Sequence, residues 1–141
     1  MSEKQPFNPI EIPNIALSLA LEVLDQPAGP FPPSAPDMGA GVYLLYYVGA
    51  LKEYAGFRAA NTPDSPRLPI YIGKADRKGK RKGITFAPAH GNELRTRLRN
   101  HARSIAKCKN LASSDFVCRY LSIEDAFIGL AEAVLVSVFD P

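Results

Sequence analysis

Two short apolar runs, GVYLLYYV at 41–48 and LPIYIGKA at 68–75, do most to limit the folds open to this chain. Both are rich in valine, isoleucine and tyrosine, are short, and are bounded by glycine and proline, which favours strands over helices. Each sets a tyrosine at an equivalent place: Tyr43 in Gly41-Val42-Tyr43 and, 28 residues later, Tyr71 in Tyr71-Ile72-Gly73. The connection Gly49–Arg67 is longer than a hairpin loop and has room for a short helical turn near Glu53–Ala60.

The rest of the chain arranges itself around these runs. Residues 14–26 read as a helix with Asn14 as its cap. Prolines at 27, 30, 32, 33 and 36 make 27–38 an extended, helix-free linker. Residues 1–37 are therefore expected to form an N-terminal helix and Pro-rich linker packed on a core at 38–141. The Gly- and Lys-rich tract from Lys74 to His90 reads as an exposed loop. Residues 92–107 form the clearest helix, with Asn92 as cap and Glu93 in the first turn. Asp115–Leu121 alternates like a strand, and Ser122 stands where a cap would begin a last, apolar helix. The fold class is α+β, in the order β-β-α-β-α.

At 141 residues the chain is sized for one domain with one core. No run reaches the roughly 18 apolar residues of a membrane span, and the opening MSEKQPFNP lacks the layout of a signal peptide. A cytoplasmic protein is expected. Cys108 and Cys118 are too few for a disulfide framework and match no zinc spacing with His101.

Charge is segregated. Residues 74–109 contain 12 of the 17 Lys and Arg but only two acids, Asp76 and Glu93, so the segment carries +10 against −7 for the remainder. Such a block in an otherwise acidic chain points to a polyanionic partner, nucleic acid above all. Lys74 is a candidate to contact phosphate, and the loop residues Arg77, Lys78, Lys80, Arg81 and Lys82 are candidates either to read bases or to make sequence-blind phosphate contacts.

Helical geometry sorts the remaining cations. At about 100° per residue, Leu94, Leu98, His101 and Ile105 share one side of the helix within about 60° of arc. Arg97 lies at the edge of that stripe, one turn before His101. Arg95, Arg99 and Arg103 form a separate, outward stripe suited to DNA. In the last helix Glu132 is the only acid between Asp125 and Asp140. Among Ile128, Leu135 and Val136 its carboxylate must be paired, protonated or bound to a cation. Alternatively Asp125, Gly129 and Glu132 form a thin solvent stripe. Tyr46, Tyr47, Tyr54 and Tyr120 read as core residues, and each of Tyr43 and Tyr71, taken alone, reads the same way.

The ordered set GAGVYLLYYVG, PIYIGKA, LRTRLRNHARSI, DFVCRYL and GLAEAVL resembles the GIY-YIG nuclease superfamily over about residues 39–141. It is most similar to the type II restriction endonuclease branch, the group that cuts a palindromic CCGCGG site. Val42 stands for the usual isoleucine, a conservative departure. The resemblance implies a small three-stranded antiparallel sheet flanked by helices. It also implies roles. Tyr43 would help to deprotonate the attacking water, Tyr71 would line the same pocket, and Arg97 would hold the scissile phosphate. His101 would relay the proton with Tyr43, and Glu132 would be the one protein ligand of Mg²⁺, with Mn²⁺ as substitute. A cationic neighbourhood and an adjacent His101 are expected to ease proton transfer at Tyr43, whose ordinary pKa near 10 makes it a poor base.

The resemblance further implies double-stranded DNA as substrate and a homodimer matched to a palindromic site. Related nucleases place an asparagine, often in a Trp-Asn string, soon after the last helix. Here the sequence reads Phe139-Asp140-Pro141, so a C-terminally incomplete nuclease core is expected. Two other readings stay open: an inactive or truncated DNA-binding module, and a repair- or homing-type nuclease module.

Overall fold

The computed structural model describes residues 6, 11–35, 38–77 and 91–139. Its helices are α1 (Ile12–Leu24), α2 (Ala55–Ala60), α3 (Glu93–Ala106) and α4 (Asp125–Phe139). Its strands are β1 (Gly29–Pro30), β2 (Gly41–Tyr47), β3 (Tyr71–Ala75) and β4 (Phe116–Ser122). The four strands form one antiparallel sheet in the order β1-β4-β2-β3. The sheet is thus one strand wider than the expected three. The extra strand is two residues of the Pro-rich linker, with Gly29 opposite Cys118 and Pro30 opposite Val117. A Gly-Pro pair has no strand signature, and proline is tolerated in a sheet only where its missing N–H faces outward, as at this edge.

β2 is the axis of the molecule and is buried along its whole length. Strand alternation divides its side chains between two cores. Val42, Leu44 and Tyr46 pack with Ala20 and Val23 of α1 and with Ile128, Ala131 and Leu135 of α4. Tyr43, Leu45 and Tyr47 pack with Leu94 and Leu98 of α3, and with Phe31, Met38 and Phe116. Helices therefore cover both faces, which is why the strand reads as a nearly continuous apolar run. Gly41 opens β2 because a Cβ there would sit 1.9 Å from the Leu121 carbonyl oxygen across the ladder.

Element ends differ from the sequence-based expectations. Asn14 does not cap α1. Glu11 stands at the N-cap, Pro13 falls in the first turn, and Asn14 Nδ2 donates to Glu11 Oε2 at 3.1 Å. Asn92 is at the N-cap of α3, but its side chain makes no capping bond. Ser122 ends β4 rather than capping α4, which starts at Asp125.

Two polar hubs tie the irregular segments down. Asn61 is buried and uses its whole amide. Nδ2 donates to the carbonyls of Tyr47 (3.1 Å) and Leu68 (2.9 Å), and Oδ1 accepts from the N–H groups of Arg67 and Leu68, both at 2.8 Å. Arg119 donates to the Gln26 carbonyl (2.8 Å), the Pro66 carbonyl (3.1 Å) and the Tyr46 hydroxyl (2.7 Å). One guanidinium so joins the turn after α1, the long loop and the central strand.

Candidate active site

Register builds the site. Tyr43 of β2 lies opposite Gly73 of β3, and Tyr71 is two residues along the same strand and on the same face. α3 crosses that face through Leu94 and Leu98. The next residue of its stripe, His101, then comes down on the two tyrosines. Tyr43 Oη and His101 Nε2 are 2.8 Å apart. The Tyr43 and Tyr71 rings are stacked at 6.0 Å and 19°. His101 meets Tyr71 edge-on at 4.6 Å and Tyr43 at 5.5 Å. Tyr43 is 1% exposed, whereas Tyr71 is 46% exposed. Tyr71 is therefore not the core residue that its apolar strand suggests when read alone. It is the solvent-side wall of the cluster.

Gly73 makes this arrangement possible. A Cβ at that position would lie 2.5 Å from Tyr43 Oη and 2.8 Å from a ring carbon of Tyr71. The phenol of Tyr43 crosses the space that any other residue would fill, and only so does its hydroxyl reach α3.

The electrostatics bear on the chemistry. Burial, then Tyr71, pushes the Tyr43 phenol well above its ordinary value of 10.0; Glu132 adds to this, and Arg97 opposes it. Burial, then the Arg97 charge, lowers His101 below its ordinary 6.5. The expected easing of Tyr43 ionisation by its cationic neighbour is thus outweighed by desolvation. At neutral pH both partners are uncharged, a phenol beside an imidazole. The charges of Arg97 on α3 and, more weakly, Glu132 on α4 are felt at Tyr43.

Arg97 is exposed rather than lodged at the buried edge of α3. It lines a cavity of about 560 Å³ between the end of β3 and the start of α3, together with Asp76, Glu93 and Thr96. Glu132 is half-buried on α4. Among the described residues no trio of His, Cys, Asp or Glu is grouped to hold a metal ion. Glu132 offers one carboxylate that could hold a divalent cation. Mg²⁺, which keeps several waters and pairs with phosphates, fits such a donor set.

The other sequence candidates separate. Arg77 turns inward: its Nε lies 3.1 Å from both carboxylate oxygens of Asp125, which is 4% exposed. Asp125 consequently belongs to no solvent stripe on α4. Lys74 is half-exposed, 3.4 Å from Asp76. Arg95 is half-buried, with its Nε shielded and without a hydrogen-bond partner among the described residues, so it leaves the outward stripe. Arg99 and Arg103 are exposed, and Arg103 Nη1 donates to Asn100 Oδ1 at 3.2 Å. Lys78, Lys80, Arg81 and Lys82 lie outside the described residues. Cys118 donates to the Pro30 carbonyl at 3.4 Å, and burial pushes its thiol up to about 12, which leaves it inert. The sequence reading overlooked two participants, Gly73 as the spacer under Tyr43 and Asp125 as the partner of Arg77. The one available signal was an acid in the first turn of an otherwise apolar helix.

No curated protein matches the chain. Residues 35–141 match the family model of the Eco29kI GIY-YIG domain. That span holds β2, β3, β4, α3 and α4, every element that contributes to the tyrosine–histidine cluster. The chain belongs to the Eco29kI GIY-YIG family of restriction endonucleases and carries its nuclease domain.

Proposed function

We propose that this protein is a Mg²⁺-dependent endonuclease of type II that cuts double-stranded DNA at a specific, GC-rich palindromic site, as a cytoplasmic homodimer serving restriction–modification defence. The observation that carries the reading is the 2.8 Å contact between Tyr43 Oη and His101 Nε2, walled by Tyr71 and acted on by Arg97 and Glu132. The +10 charge of residues 74–109 supplies the attraction for the DNA backbone.

Neutral partners run the proton transfer without a phenolate. The attacking water passes its proton to Tyr43 Oη as the Tyr43 proton moves to His101 Nε2, with His101 in its Nδ1-protonated form. The water oxygen bonds to phosphorus, the bond to the leaving oxygen breaks, and that oxygen takes a proton from solvent. Arg97 meets the charge that develops on the phosphoryl oxygens. Glu132 is the residue to hold Mg²⁺, with Mn²⁺ as substitute, and the ion supplies further positive charge at the phosphate. A palindromic site asks for two such centres related by a two-fold axis, hence the homodimer.

The test is plasmid DNA incubated with the protein and Mg²⁺, with EDTA, Glu132→Ala and Tyr43→Phe as controls. Discrete bands that require Mg²⁺, Glu132 and the Tyr43 hydroxyl are expected. Normally folded variants that cut as fast as the parent would overturn the mechanism. Salt-sensitive DNA binding with no cleavage on any of several plasmids would replace it with an inactive DNA-binding module.

A further inference from the structure

Gly39 and Ala40 lead into the central strand, which begins at Gly41. Gly39 is buried and has a φ of 68°, a left-handed conformation that suits glycine and penalises residues with a Cβ. Its N–H donates to the Gly91 carbonyl at 3.0 Å, and its own carbonyl accepts from the Leu94 N–H at 2.9 Å. Gly91, with a φ of 119°, is the other positive-φ glycine among the described residues. The two left-handed positions of the described backbone are thus partners in one hydrogen bond, where the approach to β2 meets the approach to α3.

This pairing stands in for the side-chain cap that α3 lacks. The first N–H groups of a helix have no partner inside it. The Thr96 N–H bonds to the Asn92 carbonyl at 2.8 Å, and that of the fully buried Leu94 is taken by Gly39. Among the described residues, both backbone hydrogen bonds that join α3 and its approach to another element pass through Gly39. Leu94 and Leu98 fix which face of α3 meets the sheet, but apolar contact is non-directional and restrains sliding along the axis only weakly. A hydrogen bond restrains sliding, because it weakens steeply away from its preferred distance and angle. Tyr43 lies four residues after Gly39 on the strand side. His101 lies two turns, roughly 10 Å, beyond Leu94 on the helix side.

We propose that Gly39 is a positioning residue for the candidate active site: it fixes α3 along β2 so that His101 Nε2 stands within hydrogen-bond distance of Tyr43 Oη. Its consequence for cleavage rests on the nuclease reading above.

Leucic acid in place of Leu94 turns that amide into an ester, which removes the N–H bonded to Gly39 and leaves every side chain in place. Gly39→Ala is the companion variant, and an ester at Ser104, within α3 and away from Gly39, is the control. One readout is the NMR shift of the His101 Nε2 nitrogen, with Tyr43→Phe marking its value without the contact. The other is the single-turnover cleavage rate at saturating DNA. The Leu94 ester is expected to move the His101 signal toward the Tyr43→Phe value and to slow cleavage about tenfold or more, the scale for a misplaced catalytic group. DNA affinity without divalent ion should not change, and in a Tyr43→Phe background the ester should slow cleavage little further. If Gly39→Ala does not fold, the ester alone decides. An unmoved His101 signal in the folded Leu94 ester overturns the inference whatever the rate does, as does an equal shift in the Ser104 ester. A shifted signal in a protein whose parent cuts no DNA defeats the nuclease reading and leaves the positioning role standing.

Discussion

Gly73 lies directly opposite Tyr43 in the ladder between β3 and β2, and the Tyr43 hydroxyl occupies the place of the side chain that Gly73 lacks. A methyl group there would stand 2.5 Å from Tyr43 Oη. Gly73→Ala is therefore expected to tilt the phenol away from His101 while the sheet survives. The loss of the relay should lower single-turnover cleavage by about 100-fold or more, the lower range for acid–base groups. The same substitution in a Tyr43→Phe background should cost little further. Full additivity of the two losses would show that Gly73 acts elsewhere.

The pH dependence follows from His101. The proposed relay uses its neutral imidazole, and burial and Arg97 hold its pKa below 6.5. The rate should stay level through neutrality and fall as pH drops through that lowered value. Arg97→Gln removes one of the two causes, so the acid limb should move up toward 6.5 without reaching it, along with the overall loss of rate. Stability runs in the same direction. Below pH 6.5 the unfolded chain binds its proton first, so unfolding free energy declines with acidification and levels off once the folded His101 is charged. Single-turnover rates and urea midpoints across pH measure both; a limb that Arg97→Gln does not move would count against the coupling.

Arg77 is expected to behave as a structural residue, not as a DNA contact. Its bond to Asp125 fastens the stretch after β3 to the start of α4. Asp125→Ala should destabilise the fold by about 2–3 kcal/mol, the range for a shielded hydrogen bond between charged groups. A paired apolar replacement, Arg77→Met with Asp125→Leu, should recover part of that loss. Denaturant midpoints of the three variants decide the matter, and an unaltered midpoint in Asp125→Ala would contradict the assignment.

Arg99 and Arg103 are expected to do what Arg77 does not. Both are exposed on α3, clear of the buried leucines. Arg99→Gln and Arg103→Gln should each reduce the slope of log affinity against log salt by about 1, with stability unchanged. Equal slopes for parent and variants would mean that this stripe meets water, not phosphate.

Much of the site could be read from local pattern. The spacing of Leu94, Leu98 and His101 puts all three on one side of α3, and the structure buries the two leucines and sets His101 over the tyrosines. The same reasoning misplaced Arg95 and Arg97. A helical wheel gives angles around an axis, whereas exposure depends on what stands opposite, and only the packed sheet decides that.

The sequence by itself determined the family, the order of the main elements and which side chains were candidates for the site. These properties are written in periodicity and in short motifs, which depend on neighbours along the chain. Only the tertiary structure decided the fourth strand at Gly29–Pro30, the burial of Asp125 against Arg77, the exposure of Tyr71 and the use of Gly73 as a gap for Tyr43. Each of these is a relation between segments far apart in sequence. It is set by strand register and helix packing, and no local pattern encodes which backbone will lie 5 Å away across a ladder.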